Sequence, residues 1–255
     1  MPLELVTLPA LSDNYVFLVH DSESGDTACV DVPDAGPVLD ALKARNWSLT
    51  DIWLTHHHHD HIGGVDDLLG HYDAKVTGAR ADRHRLPRLN REVAEGDAFD
   101  FGGEQVGILD VSGHTEGHIA FILDASRYAF TGDSLMALGC GRLFEGTPAQ
   151  MWESLQKLAE LDPETLICSG HEYTRNNGRF ALTVDPDNDA LKDRMDRIDI
   201  MRGNDEPTVP SRLSEEVETN PFLRATDPAI QAHLDMTGSD PVDVFAEIRA
   251  RKDRY

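Results

Sequence analysis

The sequence contains an unusual histidine-rich segment, THHHHDHIGG, at residues 55–64. Imidazole nitrogens and carboxylate oxygens are the ligands that zinc and similar divalent ions accept. The segment follows DIWLT, which has the composition of a short buried strand. Because side chains alternate between the two sides of a strand, we expect His56 and His58 on one side and His57 and His59 on the other. A solvated polar run is the alternative interpretation.

Further ligand-type residues make a shaped metal site the better interpretation. Asp60 and His61 follow where the chain turns into a predicted helix, and they offer a second pair of ligands. Three later strand-like segments each end in a ligand-type residue beside glycine, at His114, Asp133 and His171. Glycine lets the backbone approach a metal closely. The pattern predicts a two-metal site in which Asp133 bridges ions about 3.5–4 Å apart.

These ligands require strands to position them, and the first part of the chain supplies strand patterns. Residue patterns predict strands at LELVTL, YVFLVH, TACVDV, EQVGILDV, IAFILD, YAFTGD and TLICSG, and helices at AGPVLDALKARN and PAQMWESLQKLAEL. After about residue 173 strand signals disappear, and NDALKDRMDRIDIMR, DPAIQAHLDM and PVDVFAEIRARKD favour helices. We therefore expect an α/β domain at residues 1–173 and a helical domain at residues 174–255.

The composition excludes several classes of protein. The 255 residues carry a formal net charge of −23, which disfavours binding to nucleic acid or anionic membranes. The first residues show neither a signal peptide nor a membrane-spanning pattern. Three scattered cysteines, Cys29, Cys140 and Cys168, are typical of a reducing compartment. We expect a cytoplasmic monomer.

The arrangement T-H-x-H-x-D-H, followed by a glycine-flanked His, an Asp and a His, resembles the metallo-β-lactamase superfamily. Further segments resemble the glyoxalase II family within it, the hydroxyacylglutathione hydrolases. These segments are LSDNYVFLV, GHTEGHI, FTGDSLMALGCGRLFEGT, SGHEYTRNN, NPFLR and RARKD. The resemblance implies a catalytic αββα sandwich at residues 1–173, with its metals at one edge of the two sheets. It also implies a C-terminal helical substrate-binding domain at residues 174–255.

The resemblance also implies two sets of metal ligands and two catalytic carboxylates. The sets are His56, His58 and His114 on the first metal, and Asp60, His61 and His171 on the second, with Asp133 bridging. The catalytic carboxylates are Asp60 and Asp133. His57, His59 and His118 are then not ligands, and we expect His118 to orient a ligand or to belong to the core. Two divalent ions are expected, with zinc favoured over iron or manganese.

The implied reaction is hydrolysis of S-2-hydroxyacylglutathione thioesters by a metal-bridging hydroxide, converting S-D-lactoylglutathione to D-lactate and glutathione in methylglyoxal detoxification. The leaving thiolate has a parent pKa of about 8.5, so it departs without a strong general acid. Cys140 is a conceivable nucleophile, but we favour a buried structural thiol.

A small-molecule glutathione thioester carries two carboxylates and requires local cations. The resemblance implies binding by Arg142, Tyr173, Arg249 and Lys252. Arg142 stands where relatives commonly have lysine. Phe144 completes the predicted substrate-binding group, and it replaces an aromatic hydroxyl that is common in the family. For RARKD, a solvated helix end favoured by the helix dipole is the alternative.

Other activities remain as alternatives. Within the same superfamily these are a single-iron persulfide dioxygenase or another thioester hydrolase. A protein that buffers metal through its histidine run is the non-enzymatic alternative, but ligands dispersed over distant strand ends favour a shaped site.

Overall fold

The computed structural model describes residues 3–255, and its first sheet is built from the N-terminal strands. Within this sheet the first three strands pair antiparallel and the rest pair parallel. In spatial order, which is also chain order, the strands are β1 (Glu4–Ala10), β2 (Asn14–His20), β3 (Thr27–Val30), β4 (Asp51–Trp53), β5 (Lys75–Ala79) and β6 (Arg91–Val93).

The second sheet also has six strands, and a short hairpin accompanies it. The later strands in chain order are β7 (Ala98–Phe101), β8 (Glu104–Asp110), β9 (Ile119–Leu123), β10 (Tyr128–Gly132), β11 (Leu135–Met136), β12 (Gly139–Cys140), β13 (Leu166–Ser169) and β14 (Ser211–Arg212). The sheet runs in the order β14-β13-β10-β9-β8-β7, and β11 pairs with β12. Within the sheet, β10 and β13 are parallel.

Helices cover the outer faces of the two sheets and form the C-terminal region. They are α1 (Ala35–Arg45), α2 (His59–Ile62), α3 (Val65–Leu69), α4 (Pro148–Ala159), α5 (Thr174–Val184), α6 (Asp189–Gly203), α7 (Leu213–Thr219), α8 (Pro228–His233) and α9 (Pro241–Arg254), with a 3₁₀ turn at Arg80–Asp82. The expected αββα sandwich with a C-terminal helical region is therefore the observed fold.

Aromatic side chains fill the space between the sheets. Trp53 from the first sheet is fully buried, with its ring centroid 5.5 Å from that of Phe121 and 6.3 Å from that of Phe130 in the second sheet. On the other face of the first sheet, Val38 and Leu42 of α1 are fully buried, as the helical spacing predicted. The two packed faces hold the sheets in a fixed relation and so fix the edge where the ligand residues lie.

Local capping signals explain where α4 and α9 begin. The Thr147 hydroxyl accepts a hydrogen bond from the Gln150 backbone N–H, the Gln150 side chain accepts one from the Thr147 N–H, and Pro148 occupies the first turn. Asp240 caps α9 in the same position. These side chains satisfy N–H groups that have no partner within the helix.

The C-terminal region departs from the expectation of helices alone. Ser211–Arg212 forms β14, which pairs antiparallel with β13 of the second sheet, so the prediction that strands end at about residue 173 is wrong. A two-residue strand carries too little pattern to be recognised in a sequence. Among the residues described, no helix is both long and apolar enough to cross a membrane.

Candidate metal centre and substrate cavity

The predicted ligand residues converge at one edge of the sandwich, beyond the ends of strands from both sheets. His56 and His58 follow β4, His114 follows β8, Asp133 follows β10 and His171 follows β13. Asp60 and His61 lie in α2, which begins four residues after Thr55. Residues that are far apart in sequence therefore share one edge because their strands pair or pack together.

The histidine run does not continue strand β4, so the prediction that its side chains alternate as in a strand is wrong. Strand β4 ends at Trp53, His58 caps α2, and His59 already lies in that helix. His56 and His58 nevertheless face the same site, with His56 Nε2 3.2 Å from His58 Nδ1. His59 is the first residue of that helix, and its side chain is exposed.

Three histidines form the first cluster of inward-facing nitrogens. His58 Nδ1 lies 3.2 Å from His56 Nε2 and 3.0 Å from His114 Nε2. His56 is fully buried and His114 nearly so. Three ring nitrogens of different residues lie close enough together to hold one metal ion, as in a three-histidine site.

Asp60, His61 and His171 form the second cluster. His61 Nε2 lies 3.3 Å from His171 Nε2, and Asp60 Oδ2 lies 3.4 Å from His171 Nε2. The Asn14 side-chain amide donates a hydrogen bond of 3.2 Å to Asp60 Oδ2. The Asn14 amide therefore holds the same carboxylate oxygen that faces the two histidines.

Asp133 lies between the two clusters. Its Oδ2 is 3.4 Å from both His114 Nε2 and His171 Nε2, and its Oδ1 is 3.5 Å from His61 Nε2. Oδ1 is buried without a hydrogen-bond partner. A buried carboxylate oxygen left without a donor is costly unless a cation fills the space beside it, so the residues fit a divalent metal at this point.

Two of these histidines have their tautomers set by carboxylates on the outer side of the ring. His61 Nδ1 lies 2.8 Å from Asp31 Oδ2, and His171 Nδ1 lies 2.9 Å from Asp13 Oδ1. A carboxylate oxygen accepts but does not donate, so each Nδ1 carries the proton. Nε2 is then the nitrogen that points into the site, where it can bind a metal in its deprotonated form.

The other Nε2 ligands are fixed in the same way. The Arg142 carbonyl accepts from His114 Nδ1 at 2.7 Å. The Thr55 hydroxyl donates to Asp31 Oδ2 at 2.8 Å and therefore offers a lone pair to His56 Nδ1 at 3.0 Å. Sequence reasoning missed Asp13, Asp31 and Thr55. Only Thr55 carried a signal, because it directly precedes the histidine run as the first letter of THHHHDH.

Glycines permit the backbone approach that the sequence predicted. Gly132 has φ +48°, and a Cβ there would lie 2.4 Å from Thr55 Oγ1. A Cβ on Gly170 would lie 2.7 Å from Asp133 Oδ1. Any larger residue at either position would displace the ligands or the residue that orients them.

Burial and charge act in opposite directions on the ligands. Burial, reinforced by the neighbouring imidazoles, holds the pKa of His56 well below its usual range. Burial also opposes charge on His171, but Asp133 and Asp13 together raise the pKa of His171 to about 9. Although burial alone would raise the pKa of Asp133, His61 and His171 hold it well below its usual range. The Asp133 carboxylate is thus ionised at neutral pH.

A cavity of about 420 Å³ opens onto the clusters. It contains all five residues that the sequence predicted for substrate binding and five of the seven predicted ligands. The substrate-binding group is Arg142, Phe144, Tyr173, Arg249 and Lys252, and the ligands on its wall are His58, Asp60, His114, Asp133 and His171.

The three cations that line the cavity differ in their exposure to solvent and in their hydrogen bonds. Arg249 is 6% exposed, and its Nη1 donates to the Cys140 carbonyl at 2.9 Å. Lys252 Nζ donates to the Asn176 carbonyl at 3.3 Å, and burial together with Arg249 lowers the pKa of Lys252 to about 8. The Arg142 side chain is 57% exposed, which makes it the most accessible cation of the three.

Two aromatic residues line the cavity beside the ligands. Tyr173 stacks on His171, with ring centroids 4.7 Å apart and planes at 7°. Phe144, which is 61% exposed, turns its ring to His58 and His114 at centroid distances of 5.7 and 5.3 Å. They form apolar walls between the ligand clusters and the cations.

Comparison with known proteins places this geometry in a family. The metallo-beta-lactamase superfamily model matches residues 20–171, and the model for the hydroxyacylglutathione hydrolase C-terminus matches residues 172–255. The chain is 62% identical over its full length, and that of the relative, to a hydroxyacylglutathione hydrolase of Ruegeria pomeroyi. The chain belongs to the hydroxyacylglutathione hydrolase family. A family member from Jannaschia sp. is 59% identical over 99% of this chain and 98% of its own.

Solved structures share the fold at lower identity. ETHE1 from Myxococcus xanthus matches with a TM-score of 0.65 and 23% identity, over 99% of this chain and 98% of its own. The B3 metallo-beta-lactamase BLEG-1 matches with a TM-score of 0.67 and 18% identity, over 86% of this chain and 99% of its own. At these identities the likeness concerns the fold that this family shares with its superfamily.

In this hydroxyacylglutathione hydrolase family member, two buried or half-buried histidines near the clusters, His57 and His118, have other partners. His57 Nδ1 lies 2.9 Å from Asp82. His118 stacks on His56 with centroids 4.6 Å apart, and its Nε2 accepts a hydrogen bond of 3.1 Å from the Asp133 backbone N–H. His118 therefore supports a ligand ring and a ligand backbone.

Cys140 lies on the cavity wall of this family member but is poorly suited to nucleophilic attack. It is 5% exposed, and burial raises its pKa to about 11 even though Arg249 opposes the shift. A thiol in this range is protonated at neutral pH, and only the thiolate is the reactive form.

Proposed function

We propose that this chain hydrolyses S-2-hydroxyacylglutathione thioesters, with S-D-lactoylglutathione converted to D-lactate and glutathione in methylglyoxal detoxification. It is a metal-dependent thioester hydrolase. The observation that carries the proposal is the convergence of inward-facing ring nitrogens around Asp133, at the floor of a cavity whose wall holds three cations. That combination of metal ligands and cations suits the binding and hydrolysis of a small anionic ester.

We assign the ligands to two ions. The first is held by His56, His58 and His114, the second by Asp60, His61 and His171, with Asp133 bridging. The donor set of imidazole and carboxylate suits zinc, and iron or manganese is also accepted by such ligands. When bound, the ions lower the pKa of a shared water towards neutrality and polarise the acyl carbonyl.

The residues around the ions orient the water and the thioester. Burial alone would raise the pKa of Asp60, but His61 and the Asn14 amide lower it, so the carboxylate can accept a hydrogen bond from the attacking water. Asp133 offers its unpartnered Oδ1 to the same region. Catalytic roles for Asp60 and Asp133 follow from this placement.

The cavity cations recognise the glutathione portion. We propose that Arg142 and Lys252 bind the glutathione carboxylates. Arg249 has a supporting role beside these two cations, because its guanidinium already donates to the Cys140 carbonyl. Tyr173 and Phe144 flank the chain of the substrate. The leaving thiolate, with a parent pKa of about 8.5, departs without a general acid.

We further propose a division of labour between residues 1–173, which carry the metal ligands, and residues 174–255, which supply Arg249 and Lys252 as a substrate-binding domain. A cytoplasmic monomer remains our proposal for the assembly and compartment. All three cysteines are free and buried, which agrees with a reducing compartment. Sedimentation analysis and cell fractionation test these two points.

Relatives whose sequences are 53–62% identical to the full chain are named hydroxyacylglutathione hydrolase. These relatives give no support to the persulfide dioxygenase alternative. Purified metal-loaded protein should release glutathione from S-D-lactoylglutathione without consuming oxygen. Oxygen consumption with glutathione persulfide, or activity only on another ester or on a phosphodiester, would overturn the proposal.

A further inference from the structure

A carboxylate lies inside the cation cluster of the cavity. Asp253, near the end of α9, has its Oδ1 3.3 Å from Arg142 Nε and 2.9 Å from Arg249 Nη2. The Asp253 side chain is 37% exposed, so it lies at the mouth of the cluster. A negative charge at this position is unexpected in a pocket that has to attract an anion.

The contact with Arg249 has a structural explanation. Arg249 lies four residues before Asp253 on α9, is 6% exposed and also donates to the Cys140 carbonyl. A buried guanidinium needs a counter-ion, and Asp253 supplies it. The contact with Arg142 is different, because Arg142 comes from the other part of the chain and its side chain is 57% exposed.

Arg142 binds a carboxylate best through two parallel N–H bonds. Such bidentate pairing uses one edge of the guanidinium, often the edge that includes Nε. In the protein without substrate, Asp253 Oδ1 lies beside this edge as an ion-pair partner, 3.3 Å from Nε. An incoming substrate carboxylate must displace Asp253 from that edge or accept a weaker contact beside a like charge.

We infer that Asp253 is an affinity-determining residue that competes with a carboxylate of the glutathione thioester for Arg142. This inference rests on the proposed function. Substrate and product share the glutathione carboxylates, so strong binding there would hold the product as tightly as the substrate. Binding both equally gives no gain in kcat, whereas a displaceable internal carboxylate weakens both and favours product release.

The opposite role is that Asp253 aims Arg142 at the substrate. The two roles give opposite signs for the same substitution. If Asp253 competes, its loss strengthens binding; if it aims Arg142, its loss weakens binding.

Asp253→Asn keeps the shape of the side chain and removes its charge. For the metal-loaded protein we expect the Kd for S-hexylglutathione, a thioether that cannot be hydrolysed, to fall about two- to fivefold, the range set by partly exposed ion pairs. The KM for S-D-lactoylglutathione should fall in parallel, with kcat not reduced. Calorimetry gives the first quantity and steady-state kinetics the second.

Glu247→Gln is the matched control, because Glu247 forms an i,i+4 ion pair with Arg251 on the same helix and does not line the cavity. It should leave Kd and KM unchanged. Asp253→Ser is a second variant, which removes the charge and shortens the side chain. We expect it to lower Kd and KM as well. Melting temperatures and metal contents identify any variant that is misfolded.

Arg142→Gln supplies the second arm. If Asp253 acts through Arg142, then Asp253→Asn should have no effect in the Arg142→Gln background. An unchanged or raised Kd in Asp253→Asn and Asp253→Ser, or a gain that persists without Arg142, overturns the inference. Failure of the metal-loaded wild-type chain to hydrolyse the thioester would instead refute the proposed function, so the two failures are distinguishable.

Discussion

At the scale of single residues, the metal centre depends on side chains that never face the cavity. The sequence predicted the ligand residues because their types and spacing are themselves chemical signals. It could not predict Asp13 and Asp31, which are ordinary acids among many in a chain with 46 acidic residues. Their role becomes visible only when the fold places each carboxylate against the outer nitrogen of a ligand histidine.

Asp31 gives a direct test of this orientation. In Asp31→Asn an amide replaces the carboxylate that accepts from His61 Nδ1, and the preference for the required tautomer weakens. We expect metal affinity to fall about 10- to 100-fold, measured by competition with a chromophoric chelator. An Asp31→Asn protein that is folded and binds metal with unchanged affinity would show that the outer hydrogen bond is dispensable.

The histidine run gives a paired comparison. His58→Ala removes an inward nitrogen that lies 3.0 Å from His114 Nε2, so bound metal and most of the thioesterase activity should be lost. His59→Ala changes an exposed side chain in α2 and should leave both near the wild-type level. Metal analysis and hydrolysis rates provide the comparison, and equal losses in the two variants would refute the assignment of roles.

At the scale of elements, strong patterns were predictable and weak ones were not. Strands β2 and β9 are buried throughout, and their central or entire sequences are apolar runs that predict a buried strand. Helix α5 contains TRNNGR, a poor helix-forming segment, but it forms because Phe180, Ala181 and Val184 are buried against the rest of the molecule. Tertiary packing, which the local sequence does not encode, decides such elements.

The loop that carries Arg142 and Phe144 is anchored from outside the site. Glu145 forms an ion pair with Arg85, and its Oε2 accepts a 2.7 Å hydrogen bond from the Glu116 backbone N–H. Glu145→Gln weakens this anchor, so we expect the KM for the thioester to rise roughly two- to fivefold, as for a partly exposed ion pair, with metal content unchanged.

Steady-state kinetics with metal analysis tests this expectation. Glu153→Gln is the matched control, since Glu153 is 74% exposed on α4. A KM that stays at the wild-type value in Glu145→Gln would mean that the loop holds its position without the ion pair.

At the scale of the whole molecule, the helical region is locked onto the catalytic region by a buried ionic network. Glu216 on α7 is fully buried; it pairs with Arg194 and accepts a 2.8 Å hydrogen bond from the Leu138 backbone N–H, beside the cavity. The Asn220 amide donates to the Met136 and Gly139 carbonyls at 3.1 and 3.0 Å. The sequence predicted a helical appendage but could not show how it docks.

Breaking this network should cost stability of the whole chain. Glu216→Ala leaves Arg194 buried without its partner, and we expect the free energy of unfolding to fall by about 3–5 kcal/mol, measured by urea denaturation of the metal-loaded protein. Glu218→Ala, an exposed glutamate on the same helix, should change it by less than about 0.5 kcal/mol. Equal losses of stability in the two variants would contradict the docking role of Glu216.

The most direct test of the central claim is stepwise reconstitution of the metal-stripped chain with zinc. Bound metal and the rate of S-D-lactoylglutathione hydrolysis are measured at each addition. The account predicts that binding saturates at two ions per chain, with thioester hydrolysis at saturation, and that Asp133→Asn loses both. Saturation at a single ion, or a fully loaded chain that leaves the thioester intact, would contradict it.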